Sequence, residues 1–278
     1  MRIAMTGASG FAGGFIAAAA LRAGHRLTLL DHRAGFRLGD APDLSDHDAL
    51  IHCAFAHLPG RFRGGEGDDP AGFRRANLDG SVRLFDAAAQ AGVGRILFLS
   101  SRAVHDGHPP GTRLADDLPA CPANLYGEVK AGAEDHLRRL SAQQGLRTTA
   151  IRATGIYGPG PGHKWRGLFG DYLAGRHIPP RVATELHAAD LARAAMLLLD
   201  HPAPPLTVNA SDLILDRHDL LAGIARLTRC PHPLPPRADA STLRVPDCAA
   251  LAASGWQPGG LKRLHESLPA MLDPATLL

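Results

Sequence analysis

The chain opens on an apolar run, Arg2-Ile-Ala-Met-Thr6, and breaks it at once with Gly7, Gly10 and Gly13. A strand, a glycine turn and a helix in that order is a narrow prescription for a fold. Glycine permits the tight turn and lets backbone amides come close to a ligand. The helix that starts near Phe11 then aims its partly positive N-terminus into the turn. A pyrophosphate is what such a turn holds best. Thr6-Gly-Ala-Ser-Gly-Phe-Ala-Gly13 therefore reads as a dinucleotide cradle, with Gly7, Ser9, Gly10, Phe11 and Gly13 as its binding residues. The spacing is Gly-x-x-Gly-x-x-Gly rather than the commoner Gly-x-Gly-x-x-Gly, and a glycine-rich turn with no ligand is the competing reading.

Asp31 ends the second apolar run, 24 residues beyond Gly7. A carboxylate there accepts the ribose hydroxyls of NAD and repels the extra phosphate of NADP. Arg33 is the residue that would serve NADP instead; the reading puts NAD first.

Beyond the cradle, short apolar runs alternate with Ala-rich stretches, the pattern of a parallel sheet covered by helices. Strands are predicted over 2–6, 26–31, 49–54, 95–100 and 147–152, and helices over 11–23, 71–91 and 123–144. Residues 41–48 are too few for a crossover helix. Residues 57–70 are glycine-rich and aperiodic, either a functional loop or a surface insert. Further on, helices are predicted over 163–175, 188–199, 217–228 and 261–272, with a strand near 206–210 and a stiff connector from Pro231 to Pro236. The fold class is α/β, a doubly wound, Rossmann-type parallel sheet with a small, mainly C-terminal substrate-binding portion. The division falls at 1–155 for cofactor and 156–278 for substrate, with segments around 183–210 returning to the cofactor domain.

Composition closes off other classes. The net charge is +3 without a basic tract, a poor fit to nucleic acid. The four cysteines lack Cys-x-x-Cys spacing, and no His-Glu-x-x-His pattern accompanies the 15 histidines, so no metal site is expected. His52 and His187 read as structural, the latter facing the substrate cleft. The first strand starts at Arg2 and no apolar run is long enough to cross a bilayer, so no leader and no membrane partner are expected, and the protein is placed in the cytoplasm.

Tyr126 and Lys130 stand four residues apart within a predicted helix and share one of its faces. A phenol titrates near pH 10 when unperturbed, and a neighbouring ammonium lowers that value. The same lysine is suited to hold the nicotinamide ribose. Ser101, at the end of a strand, supplies a hydroxyl to the substrate oxygen. Two surface residues on a helix are the bland alternative, and the cradle upstream argues against it.

These segments together resemble the extended short-chain dehydrogenase/reductases, the epimerase/dehydratase group. The resemblance is carried by Thr6–Gly13, Ile51-His-Cys-Ala54, Asn77-Leu-Asp-Gly-Ser81, Leu99-Ser-Ser-Arg-Ala-Val104, Tyr126-Gly-Glu-Val-Lys130 and Arg152-Ala-Thr-Gly-Ile-Tyr-Gly-Pro-Gly160. It implies Ser101, Tyr126 and Lys130 as the catalytic set. It also implies Ala54 beside the cofactor pyrophosphate or ribose, Asn77 in support of the site, Ser100 on the nicotinamide side and Asp40 near adenine. The segment 153–158, Ile156 included, would line nicotinamide and substrate, and a homodimer is implied as well. Two departures narrow the substrate. Arg102 and Ala103 stand where dehydratases of the group carry an acidic pair. Thr184 stands where nucleotide-sugar enzymes carry an arginine, with Arg181 as its substitute. Arg102 is read as a contact for an anionic substrate group, or else as a salt-bridged surface arginine. The reading favours an NAD-dependent oxidoreductase of a small sugar-like substrate. An epimerase that keeps its NAD, on a sugar or nucleotide sugar, is the alternative, and a non-catalytic NAD(P) sensor comes third.

Overall fold

A computed structural model describes residues 1–58 and 64–273. Eleven strands and nine α-helices alternate along the described residues. They are β1 (Arg2–Thr6), α1 (Phe11–Arg22), β2 (Arg26–Leu30), β3 (Ala49–His52), α2 (Pro70–Arg74), α3 (Gly80–Gln90), β4 (Arg95–Ser101), β5 (Arg113–Leu114), α4 (Leu125–Gln144) and β6 (Arg147–Ala153). There follow β7 (Gly155–Tyr157), α5 (Arg166–Leu173), β8 (Val182–His187), α6 (Ala188–Asp200), β9 (Thr207–Ala210), β10 (Leu213–Asp216), α7 (Arg217–Thr228), β11 (Val245–Pro246), α8 (Ala249–Ala253) and α9 (Gly260–Met271).

Six strands form one parallel sheet in the order β2-β1-β3-β4-β6-β9. The chain leaves β1 to one side for β2 and returns on the other side for β3. The crevice between the C-terminal ends of β1 and β3 is therefore the switch point where such sheets bind ligands. Both faces are covered, as an all-parallel sheet requires. Ile3, Met5, Ile51, Leu97 and Ile151 pack under α1 and α6. Ala4, Leu50, Ile96, Phe98 and Ala150 pack on the opposite face with Leu84 and Phe85 of α3 and Leu137 of α4. A third core, with Tyr157, Trp165, Phe169, Leu220, Ile224 and Leu268, lies beside the smaller sheet β10-β8-β7.

Several boundaries differ from the predicted ones for local reasons. The strand read as 26–31 stops at Leu30, because Asp31 caps a 3₁₀ turn at His32–Ala34. The helix read as 71–91 is interrupted by a π turn at Arg75–Asp79. Residues 41–48 form no helix, and β2 reaches β3 through irregular chain. Of the 57–70 segment, 59–63 lie outside the described residues, and Pro70 already begins α2 behind an Asp69 cap. The small sheet went unread because the buried part of β8 is polar: Thr184 and Glu185 are each 6% exposed.

Candidate active site

At the end of β1 the backbone turns at Gly7 with φ +72°, a left-handed conformation that favours glycine. A Cβ there would stand 2.5 Å from the amide nitrogen of Ala54, and one on Gly13 would stand 2.0 Å from the Gly7 carbonyl. Side chains at either place would fill the cradle or push α1 away from it. Helix α1 starts after Gly10 with no side-chain cap and no acidic residue in its first turn, so its N-terminus presents amides to the crevice. These residues fit a pyrophosphate. Asp31 accepts from the Ala34 amide at 2.9 Å through one carboxylate oxygen. Asp40 is exposed and accepts from the Arg37 amide at 2.6 Å, holding the loop that approaches Gly80 at the start of α3.

The far wall of the crevice is locked by a buried polar chain. Ser81 donates to the Asn77 carbonyl at 2.5 Å, so its oxygen must accept from His52 Nε2–H at 2.9 Å. His52 Nδ1 then accepts from the Thr6 hydroxyl at 2.7 Å, and Thr6 Oγ1 accepts from the Ala54 amide at 3.2 Å. Burial pushes the imidazole down to about 3, with the Lys130 ammonium adding to the effect, so His52 stays neutral and the chain keeps one polarity. Asn77, inside the π turn, accepts from the Ala56 amide at 2.7 Å and donates to the carbonyls of Ala56 and Phe73 at 2.8 and 3.0 Å. Both of its amide groups are spent on protein, and it acts as a clamp on the segment after β3.

Helix α4 begins at an Asn124 cap that accepts from the Gly127 amide at 2.9 Å. Gly127 lets this end of the helix lie against the turn that follows Ser101: a Cβ there would stand 2.5 Å from the Ala103 carbonyl. The close approach brings Tyr126 up to the end of β4. Ser101 Oγ accepts from the Ala103 amide at 3.1 Å, which orients the hydroxyl. One turn further along α4, Lys130 is 4% exposed and donates to the Leu99 carbonyl at 2.7 Å. Its ammonium lies near two rings, 4.5 Å from the centroid of Phe55 and 4.6 Å from that of Phe98. Burial pushes it down to about 7, against the pull of Cys53 and Glu134. The Phe55 ring also stands edge-on to Tyr126 at 5.1 Å.

Ser100 is 3% exposed and donates to Glu134 of α4 at 2.5 Å. Strand alternation places it on the same face as Phe98, and its partner in register is Arg152, whose guanidinium holds Glu134 at 2.8 Å. Ser100 therefore belongs to a buried ion-pair network, and Ser101 alternates to the other face of β4. Arg102 is ion-paired with Asp106 at 2.9 Å, the salt-bridged alternative for that residue.

The remaining candidates lie around the small sheet. Ile156, on β7, is partly buried against the α1–α6 core. Arg181 is exposed just ahead of β8 and lines a cleft of about 190 Å³ with Lys164, Trp165, Leu168, Ala183, Glu185 and Arg217. Lys164 is ion-paired with Glu185. Thr184 is buried in β8. His187 accepts from the Ala189 amide at 3.0 Å and meets Ser267 of α9 at 3.0 Å. It joins the two halves of the chain. Phe55, Lys164 and Arg217 escaped the sequence reading. Lys164 carried a faint signal as one of only three lysines, whereas Phe55 and Arg217 carried none. No group of side chains among the described residues could hold a metal ion, and none of the described helices is long and apolar enough to cross a membrane.

Comparison with known proteins agrees with this architecture. The profile of the family described as "NAD dependent epimerase/dehydratase family" matches residues 3–210. The UDP-glucose 4-epimerase of Corynebacterium glutamicum is 29% identical over 179 residues, 57% of this chain and 53% of that enzyme. The chain thus spans about half the length of the curated relatives it matches. Among solved structures, a Thermus thermophilus UDP-glucose 4-epimerase in complex with NAD superposes with a TM-score of 0.77 at 23% identity, covering 98% of this chain and 99% of the other. A Bacillus cereus UDP-glucuronic acid 4-epimerase reaches 0.80 at 17% identity, covering 100% and 99%. At such identities these likenesses speak for the fold. The profile match, which takes in the cradle, Ser101, Tyr126 and Lys130, carries the assignment: the chain belongs to the NAD-dependent epimerase/dehydratase family.

Proposed function

We propose that this protein is an epimerase that retains NAD and inverts one carbinol centre of a nucleoside-diphosphate sugar. The observation that carries the substrate class is the cleft beside the small sheet. Arg181 and Arg217 line it while Lys164, pushed down to about 7 by burial, is paired with the single carboxylate of Glu185, an excess of positive charge that suits a diphosphate and not a neutral polyol. The small-substrate dehydrogenase reading gives way on this ground and on the company of the relatives, several of which are UDP-sugar 4-epimerases. Dehydration lacks its acid and base, since Arg102 is paired with Asp106 and Ala103 is buried.

Gly7, Gly10 and Gly13 with Ser9 and Phe11 would hold the NAD pyrophosphate, Asp31 the adenosine ribose, Asp40 the adenine end, Ala54 the wall of the crevice, and Lys130 the nicotinamide ribose. Bound NAD supplies the hydride acceptor and donor. The chain supplies the proton chemistry. Tyr126 removes the hydroxyl proton of the carbinol and later returns one to the same oxygen, and the Lys130 ammonium favours the phenolate form. Ser101, held by the Ala103 amide, donates its O–H to that oxygen in both directions. Inversion requires the oxidised sugar to turn over, and a diphosphate anchored in the cleft keeps it from leaving meanwhile. A cytoplasmic homodimer is the expected state, and light scattering on the purified protein tests the dimer.

Proton NMR of the purified protein with NAD and a panel of UDP-sugars tests the proposal. A stereoisomer accumulating without net NADH is the expected result. An oxidised product matched by NADH makes the protein a dehydrogenase instead.

A further inference from the structure

Phe55 belongs to none of the roles described above, yet it sits on the pair that matters most. Its backbone is pinned on both sides: the Ala54 amide donates to Thr6 at 3.2 Å, and Ala56 exchanges hydrogen bonds with Asn77 at 2.7 and 2.8 Å. Between these pins the side chain projects over α4. The ring meets Tyr126 edge-on at 5.1 Å and Phe73 at 5.4 Å, and covers the Lys130 ammonium at 4.5 Å. The Phe98 ring stands 4.6 Å from the same ammonium, and Leu99 takes its hydrogen bond. With Lys130 only 4% exposed, a ligand hydroxyl reaches it only if one of these neighbours moves. Phe98 and Leu99 are fixed in β4, at the centre of the sheet. Phe55 is partly exposed and needs only a side-chain rotation.

We infer that Phe55 is a displaceable stopper, closed over Tyr126 and Lys130 in the empty enzyme and turned out by the nicotinamide ribose when the dinucleotide binds. The inference rests on the NAD reading given above. The lowered pKa of Lys130 accords with it, because the ring is part of the burial that disfavours the charge. Closing the site also sets a kinetic barrier: the cofactor enters only in the fraction of molecules whose ring is open.

Calorimetric titration of NAD into the wild-type protein and Phe55→Ala, each stripped of any retained NAD, with stopped-flow association kinetics for both, tests this. Freed from an edge-on ring pair and a cation–π contact that binding must break, Phe55→Ala should bind NAD about tenfold more tightly. The association rate constant of the variant should exceed that of the wild type, because a fast ring rotation lowers the wild-type rate in proportion to the open fraction. Equal or weaker binding by Phe55→Ala overturns the inference, since the ring would then be packing on the bound cofactor. If the alanine variant fails to fold, Phe55→Leu decides, since it keeps apolar bulk and loses both ring contacts: binding equal to or weaker than that of the wild type overturns the inference. NAD neither carried by the purified wild type nor bound by it after stripping overturns the cofactor reading, and the stopper with it.

Discussion

Lys130 has to be both buried and charged, and these requirements oppose each other. In the empty site its ammonium sits under Phe55 and is pushed down to about 7 by burial. A ligand that offers it hydroxyl oxygens favours the charged form and raises the value above that of the empty site. Binding then takes up a proton whenever the free enzyme has lost it. The sign follows: NAD affinity is full below pH 7 and falls above it, by about tenfold per pH unit until the bound-state value is reached. Calorimetry on the NAD-stripped protein at pH 6.5, 7.5 and 8.5, in buffers of different ionisation enthalpy, reads both the slope and the proton; a flat profile refutes the idea, and Lys130→Met should abolish the slope. Tyr126 answers to a different measurement. Tyr126→Phe should lower turnover by about 10²–10⁴-fold, the loss of a general base, and change NAD affinity by no more than about twofold. Loss of NAD binding in that variant would assign the ring to the cofactor instead. The Tyr126–Lys130 pair was legible because helical spacing alone puts the two residues on one face. Phe55 was not, because nothing in its neighbours along the chain says where its ring points.

Single elements position these residues, and their legibility follows the kind of force that makes them. The strand–turn–helix at the N-terminus and helix α4 were readable because apolar runs, glycines and helical spacing agree locally. Ser100 and Ser101 were separable in principle by strand alternation, yet only the register with Arg152 and Ala153 in β6 says which faces the crevice. The small sheet was hidden because Glu185 in β8 is buried through an ion pair with Lys164 across the chain, and no local pattern encodes that partner. The π turn at Arg75–Asp79 was hidden for a similar reason. Asn77 occupies it, and three hydrogen bonds from that side chain hold Ala56 and Phe73. Asn77→Ala leaves the Ala56 amide and two carbonyls without their partners. It should cost about 2–4 kcal/mol, read by urea unfolding with an unchanged slope. A loss below about 0.5 kcal/mol, ordinary for an unremarkable surface site, would show that the π turn is held by other contacts.

At the scale of the molecule the chain passes repeatedly between the two sheets. It runs from β6 directly into β7, comes back through β8 to α6 on the large sheet, adds β9 there, and leaves again for β10. Asp190 of α6 fixes the return. It is fully buried, accepts from the Gly259 amide at 3.0 Å, pairs with Arg263 of α9 at 3.2 Å, and its carbonyl takes the Trp256 indole N–H at 2.9 Å. The dinucleotide cradle is built by β1, α1 and β3, whereas the cationic cleft is built by β8, α5 and the start of α7. No residue lining the cleft belongs to the cradle. The two are therefore expected to fail independently. Arg181→Met keeps the aliphatic bulk and removes one charge from an exposed position, so the fold should be unaffected. Losing one charge-assisted hydrogen bond to a phosphate should weaken a nucleoside-diphosphate sugar about tenfold, with KM raised and turnover at saturation nearly kept. NAD affinity should not move. An equal fall in NAD affinity would mean that the cleft and the cradle are one site, and an unchanged KM would remove Arg181 from the substrate.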